Sequence, residues 1–381
     1  MRIALFIGSL ATGGAERQFA LLGGALARAG HDVLFLTMES RSDNPAYEQL
    51  LEGVERNVVL GSPWPGPFRL VQLLRGWRPV RRELERFKAD VIYAALEWPN
   101  WLAARAVAGM SKRPAVVAGI RNSAEVMSWK RRLPLKRLAQ HGQLDGLVAN
   151  SRAGLDEAHR IGITANLEDV IPNGIDTNRF SPDAASGERK RLALEIPRDC
   201  PLLGHVGRLS PMKDHETLLH SLAAVLESRP EVHLVCVGDG PDERRQSLLQ
   251  LTASLGISNH VHWIPREEDM PAYYSAIDLL IMSSCDGEGF PNAVAEAMSC
   301  GTPCAVTTVG EAAGIVGNTG VIAPPRDPDA LARVIVSMLE TPDRGAAARE
   351  RITGHFGIDR LVQATESVLE QTAKASKAGP D

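Results

Sequence analysis

Three glycine-bearing loops carry the residue types from which a phosphate and sugar site can be built. The segment Cys285-Asp286-Gly287-Glu288-Gly289-Phe290-Pro291-Asn292 leaves an apolar run and enters a helical one, with Pro291 suited to the first helical position. Backbone amides of Gly289, Phe290 and Asn292 at such a helix start point outward and attract an anion, and the glycines let a phosphate approach the backbone closely. Glu288 on the loop and Glu296 early in the helix add two carboxylates that can accept hydrogen bonds from sugar and ribose hydroxyls. Taken alone, the pair also reads as one solvated glutamate and one favoured by the helix dipole. In Gly207-Arg208-Leu209-Ser210-Pro211-Met212-Lys213-Asp214, Arg208 as a fork and Lys213 as a point charge can close on a diphosphate and stabilise it as a leaving group. Two surface cations in a loop are the plainer alternative. The third loop, Thr12-Gly13-Gly14-Ala15-Glu16-Arg17, opens the first helical run, and a tight turn accounts for its glycines without a ligand.

These loops need elements that hold them on one edge of a sheet. Short apolar runs alternate with amphipathic stretches along the chain, the pattern of parallel sheets covered by helices, whose ligands bind beyond the carboxyl ends of the strands. In the first half, strands are expected at Arg2–Gly8, Val33–Thr37, Val91–Ala95, Ala115–Ile120 and Gly146–Asn150. A helix over Ala15–Ala29 is ended by Gly30, and residues 61–67 form a loop. The pattern then restarts. Strands are expected at Leu202–Val206, Val232–Val237, Val261–Ile264, Asp278–Met282 and Pro303–Thr307, and helices at Glu216–Ser228, Asn292–Ser299 and Asp329–Glu340. The chain therefore reads as α/β, with two doubly wound Rossmann-like domains in series. The turn Ile171-Pro172-Asn173-Gly174-Ile175-Asp176 marks the boundary, and the polar stretch 181–200 reads as a surface connection.

A chain of 381 residues suits two cores. No apolar run approaches the ~20 residues that a spanning helix needs, and the N-terminus lacks the parts of a signal peptide. The five cysteines all lie in the second half, an odd number in no disulfide framework, and read as reduced thiols of a cytoplasmic protein. The net charge of −4 hides an asymmetry, +6 over residues 1–180 and −10 over 181–381. A basic first half suits an anionic partner. The chain carries no nucleic-acid-binding signature, so an anionic membrane surface or a phosphate-bearing lipid acceptor is expected instead.

Gly13-Gly14-Ala15-Glu16-Arg17, Ile171-Pro172-Asn173-Gly174-Ile175-Asp176, Gly207-Arg208-Leu209 with Lys213, and Glu288-Gly289-Phe290-Pro291-Asn292 through Glu296-Ala297-Met298 resemble, in order and spacing, glycosyltransferase family 4. The resemblance covers essentially the whole chain. It implies the GT-B fold, two Rossmann-like domains facing each other across a cleft. Residues 1–174, rejoined by 358–381 through a last helix near Ile358–Glu370, would bind the acceptor. Residues 175–357 would bind a nucleoside-diphosphate sugar, with UDP favoured over GDP. The implied activity is retaining sugar transfer to a glycan or lipid-linked acceptor in cell-surface polysaccharide or glycolipid synthesis, without metal or other cofactor. Carried over residue by residue, Arg208 and Lys213 hold the diphosphate and Glu288 the donor sugar. Gly289 and Phe290 offer amides beside Asn292, Glu296 binds the ribose, and the Trp263–Glu267 loop, with Arg266, holds the base. Gly14 lets the first domain approach the phosphates.

Such transferases are held to let the leaving phosphate take the acceptor proton, which requires positive charge and orientation more than a protein base. Many relatives carry a histidine after the strand corresponding to Ala115–Ile120. Here Arg121 and Asn122 stand in its place, and with Glu97 and Trp98 they are the acceptor-side candidates. Trp98 and Trp101 suit either sugar stacking or the core. The mixed basic and apolar stretch 129–138, interrupted by Pro134, is either an interfacial contact with an anionic membrane or a solvated face. A non-catalytic nucleotide-sugar scaffold on the same fold is the alternative function. A nicotinamide enzyme is not indicated, because no G-x-G-x-x-G follows the first strand.

Overall fold

The computed structural model describes residues 1–11, 13–42, 44–63, 68–121, 129–267, 269–341 and 344–378. It divides into two compact units, Met1–Gly174 with Ile358–Asp381, and Ile175–Gly357. Strands of the first unit are β1 (Arg2–Ile7), β2 (Asp32–Thr37), β3 (Glu55–Val58), β4 (Val91–Ala95), β5 (Ala115–Ile120), β6 (Gly146–Ala149) and β7 (Leu167–Val170). They form one parallel sheet in the order β3-β2-β1-β4-β5-β6-β7. Strands of the second unit are β8 (Leu202–Val206), β9 (His233–Val237), β10 (Val261–Ile264), β11 (Leu279–Met282), β12 (Cys304–Thr307) and β13 (Val321–Ala323). They form a parallel sheet in the order β10-β9-β8-β11-β12-β13.

Both faces of each sheet are covered, and the central strands show it residue by residue. Ile3, Leu5 and Ile7 of β1 enter one apolar cluster while Ala4 and Phe6 enter the other. Val91, Tyr93 and Ala95 of β4 divide from Ile92 and Ala94 in the same way. A strand buried on both sides needs a continuous apolar run, which is why these strands are legible in the sequence. Edge strands β3, β7 and β13 are not, because Glu55-Arg56-Asn57-Val58 and Leu167-Glu168-Asp169-Val170 face water on part of their surface. The helix Ile358–Ala378 places Leu361, Val368, Leu369 and Ala373 in the first unit's core beside Phe19, Leu22 and Leu26. Gly174 lets this helix pack closely, since a Cβ there would lie 2.9 Å from the Leu361 side chain.

Two expectations are corrected. The stretch 181–200 is not a plain connection. It folds as the helix Ala184–Ala193, capped by Asp183, whose carboxylate accepts from the Ser186 amide at 3.0 Å. Gly187 of that helix packs so closely on the Ser275 carbonyl that a Cβ would fall 2.4 Å from it, and Arg191 donates to the carbonyls of Ala276 and Cys200. Pro134 does not interrupt the 129–138 stretch, because one helix runs Trp129–Gln140 through it. Cys236, Cys300 and Cys304 are buried and free, and burial pushes their thiols up. Among the described residues no helix is long and apolar enough to cross a membrane.

The second unit also buries two histidines. His205 on β8 and His215, first residue of the helix His215–Ser228, meet edge to face at 4.5 Å, and His215 stacks on Trp263 of β10 at 6.2 Å. Burial, reinforced by nearby Lys213, pushes His205 down to about 4. Burial, with His205 and Arg244 adding to it, pushes His215 down to about 2. Both imidazoles are therefore neutral in the fold, while the unfolded chain takes up protons below about pH 6.5. A depressed histidine makes stability fall as pH drops below that unfolded value, and for His205 the loss is complete near pH 4. His215→Phe is expected to flatten the fall of the urea midpoint between pH 7 and pH 5. An unchanged slope would show that His215 is not buried neutral.

Candidate active site

The order of the second sheet reverses between β8 and β11, and the loops from these strands carry the predicted donor residues. After β8 the chain crosses Gly207 and Arg208 and makes the short 3-10 turn Pro211–Lys213. Asp214 follows in the left-handed conformation, φ 48°, and caps the next helix by accepting from the Thr217 amide and hydroxyl at 3.2 and 2.7 Å. The loop rests on the turn after β9. Gly207 donates to the Val237 carbonyl and Leu209 to that of Asp239, at 3.1 and 2.9 Å. A Cβ on Gly238 would fall 2.0 Å from the Gly207 carbonyl oxygen, so glycine is needed for this approach.

The loop after β11 meets that segment directly. The Cys285 amide donates to the Met212 carbonyl and the Ser283 hydroxyl to that of Lys213, both at 2.9 Å. Lys213 Nζ donates to Glu288 Oε1 at 2.5 Å, and the Ser284 hydroxyl donates to the same oxygen at 2.6 Å. Glu288 is 9 % exposed. Burial alone would push its carboxyl up, but the Lys213 charge and the hydrogen bonds from Lys213 and Ser284 outweigh it and hold it below the usual range. The carboxylate is thus ionised, with Oε2 left to accept from a ligand. A cavity of about 470 Å³ is lined by Pro211, Met212, Asp214, Thr217, Cys285, Asp286 and Arg326, residues of the same two loops and their surroundings but not by Lys213 or Glu288.

Of the predicted donor residues, the fold brings Lys213 and Glu288 into contact. The amides of Gly289 and Phe290 have no described acceptor, while the Phe290 ring is buried in the core against Phe356 at 5.6 Å. Pro291 is the N-cap, one residue before the helix Asn292–Ser299, and not its first residue as expected. Glu296 is buried and turned inward, where it accepts from the Tyr274 hydroxyl at 2.9 Å, and is not in described contact with Glu288. Arg208 and Arg266 are exposed beyond the ends of β8 and β10, without a described side-chain partner. Ser284 and Tyr274, which fix the two glutamates, give no signal in a single sequence.

In the first unit, Gly14, Glu97, Trp98 and Arg121 follow the carboxyl ends of β1, β4 and β5. Gly14 is exposed and begins the helix Gly14–Arg28. Glu97 and Trp98 open the helix Glu97–Val107, and Trp98 packs on the core with Trp101, edge to face at 5.8 Å. Arg121 is buried and donates to Asn173 Oδ1 at 3.1 Å and to the Tyr93 hydroxyl at 2.5 Å, with its guanidinium over the rings of Phe19 and Tyr93. Asn122 lies outside the described residues. Asn173 was legible only as part of a turn, and Tyr93 only as a residue of the apolar strand Val91–Ala95.

One glycine sets the height of the Glu288 loop. Gly310 has φ 60°, and a Cβ there would sit 2.4 Å from the Glu288 carbonyl oxygen and 2.7 Å from that of Gly289. Gly310→Ala is expected to cost about 1–3 kcal/mol in urea unfolding and to weaken ligand binding at the loop. A wild-type midpoint would remove this constraint.

Residues 12–179 match the model of Glycosyltransferase Family 4, and residues 200–341 that of Glycosyl transferases group 1. The chain is 30% identical to a D-inositol 3-phosphate glycosyltransferase of Salinispora tropica, over 89% of this chain and 77% of the relative. It is 29% identical to that of Geodermatophilus obscurus, over 92% and 84%. Among solved structures it resembles Anabaena Alr3699/HepE in complex with UDP-glucose, with a TM-score of 0.81 and 24% identity over 100% of both chains. It also resembles sucrose-phosphate synthase of Thermosynechococcus elongatus, with a TM-score of 0.81 and 22% identity over 98% of this chain and 99% of that one. Two parallel Rossmann-like sheets of seven and six strands are the GT-B fold, and the chain belongs to glycosyltransferase family 4 and is a glycosyltransferase.

Proposed function

We propose that the second unit binds a nucleoside-diphosphate sugar and that the enzyme transfers this sugar, with retention, to a glycan or lipid-linked acceptor held by the first. The observation that carries this reading is the Lys213–Glu288 pair at the mouth of β8 and β11. An ammonium has three donors, so Lys213 can keep Glu288 and still hold a phosphate oxygen. Arg208 and the free amides of Gly289 and Phe290 add positive potential on the same edge of the sheet. Glu288, kept ionised, accepts a sugar hydroxyl. The Anabaena relative crystallised with UDP-glucose supports a UDP-sugar, and the D-inositol 3-phosphate glycosyltransferases support a hydroxyl-bearing acceptor with an anionic group. The basic balance of the first half suits such a charge. The same balance supports work at an anionic membrane face, in surface-glycan or glycolipid synthesis.

Chemically, the diphosphate leaves as its charge is neutralised, and its oxygen takes the acceptor proton on the face it vacates. Lys213→Ala is expected to lower turnover about 10²–10³-fold, the scale of losing one charge-stabilising donor. Because that change strands a buried carboxylate, Lys213→Ala with Glu288→Gln is measured alongside. Full activity in both variants would sink the assignment. Side-chain cations and backbone amides supply the charge a metal would otherwise bring, so EDTA is expected to leave the rate unchanged. A loss restored by Mg²⁺ would refute metal independence.

A further inference from the structure

The two strands that carry Lys213 and Glu288 are paired for only a short distance. β8 and β11 share the rungs Leu203 with Leu279 and Gly204 with Leu280, whereas β8 stays in register with β9 through Val206. The next rung would join His205 and Ile281. Here a side chain takes over: the His205 imidazole Nδ1–H donates to the Ile281 carbonyl at 3.0 Å. The ring is 1% exposed and wedged against His215. Beyond it the two chains separate and meet again at Ser283 with Lys213 and at Lys213 with Glu288. His205 thus stands under the opening where the strand order reverses, between the last backbone rung and the charged pair.

We propose that His205 is a positioning residue for sugar transfer, a cross-strand pin that fixes the spacing of the Lys213 and Glu288 loops without touching the donor. The inference rests on the donor-site reading given above. Because Nδ1 gives its proton to a carbonyl, Nε2 carries the lone pair, and the ring is a neutral, tautomer-fixed donor. His205 Nε2, both nitrogens of His215 and the Trp263 indole N–H have no described partner, so the Nδ1 bond is what orients the ring.

The geometry of the donor, more than its presence, is what the test reads. Asn places its amide N–H close to where Nδ1 lies, Gln places it near the Nε2 position, and Leu has none. His205→Asn, His205→Gln and His205→Leu are compared for kcat and KM with a UDP-sugar, for UDP affinity by calorimetry and for thermal midpoint, with kinetics read well below each midpoint. His205→Asn is expected to stay within about threefold of wild type in kcat/KM, and His205→Gln and His205→Leu to lose about tenfold or more, the size of one hydrogen bond. Should His205→Leu not fold, the comparison of Asn with Gln decides. Equal kcat/KM in Asn and Gln, or wild-type kinetics throughout, overturns the pin. A wild-type enzyme that neither binds nor turns over any nucleoside-diphosphate sugar would instead sink the donor reading, so the two failures are told apart.

Discussion

The bond between the Lys213 ammonium and the Glu288 carboxylate, almost out of water, is the constraint on which the second unit's working edge depends. A buried pair is no strong source of stability, since desolvation offsets most of the attraction. Its value lies in holding two charges in one place. The pair joins loops from strands that are first and fourth of this unit in chain order but neighbours in its sheet, paired by backbone only at Leu203 with Leu279 and Gly204 with Leu280. Ser284 shares the acceptor oxygen and Ser283 ties down the lysine's own carbonyl. Removing one charge leaves the other stranded, which is why the site behaves as a unit.

Around that pair the backbone is packed to contact. Gly238 and Gly310 have no room for a methyl group without displacing a carbonyl, and a Cβ on Gly207 would press on the Lys213 side chain at 3.1 Å. The glycines are where loops from three strands stack under a common surface. The Gly289 and Phe290 amides have no acceptor among the described residues. The proposed anion-binding edge would therefore rest on main-chain geometry plus two cations, with little demand on the surrounding side chains.

Much of the fold was legible because central parallel strands must be apolar throughout. Arg2–Ile7, Val91–Ala95 and Leu202–Val206 announce themselves by that run alone. Edge strands β3 and β7 do not, since water faces part of them, and neither does the helix Ala184–Ala193, whose polar residues hide a single buried glycine. Among candidate site residues, charge and spacing picked out Lys213 and Glu288, which the fold brings within hydrogen-bonding distance. They could not show that Glu296 turns toward Tyr274, nor that Arg121 lies buried against Asn173 and Tyr93. Those partners come from distant segments, and nothing local encodes them.

The first unit's core contains Leu361, Val368, Leu369 and Ala373, residues that follow the whole of the second unit along the chain. On the ribosome, Phe19, Leu26 and Val117 are made before the second unit and their covering helix only after it. The amino-terminal sheet must therefore wait, with one apolar face incomplete, while some 180 residues of the other unit are synthesised. Vectorial folding of this enzyme is thus discontinuous: the lobe begun first is finished second, and a chain cut short near residue 357 would leave it with an open seam that invites chaperones or aggregation.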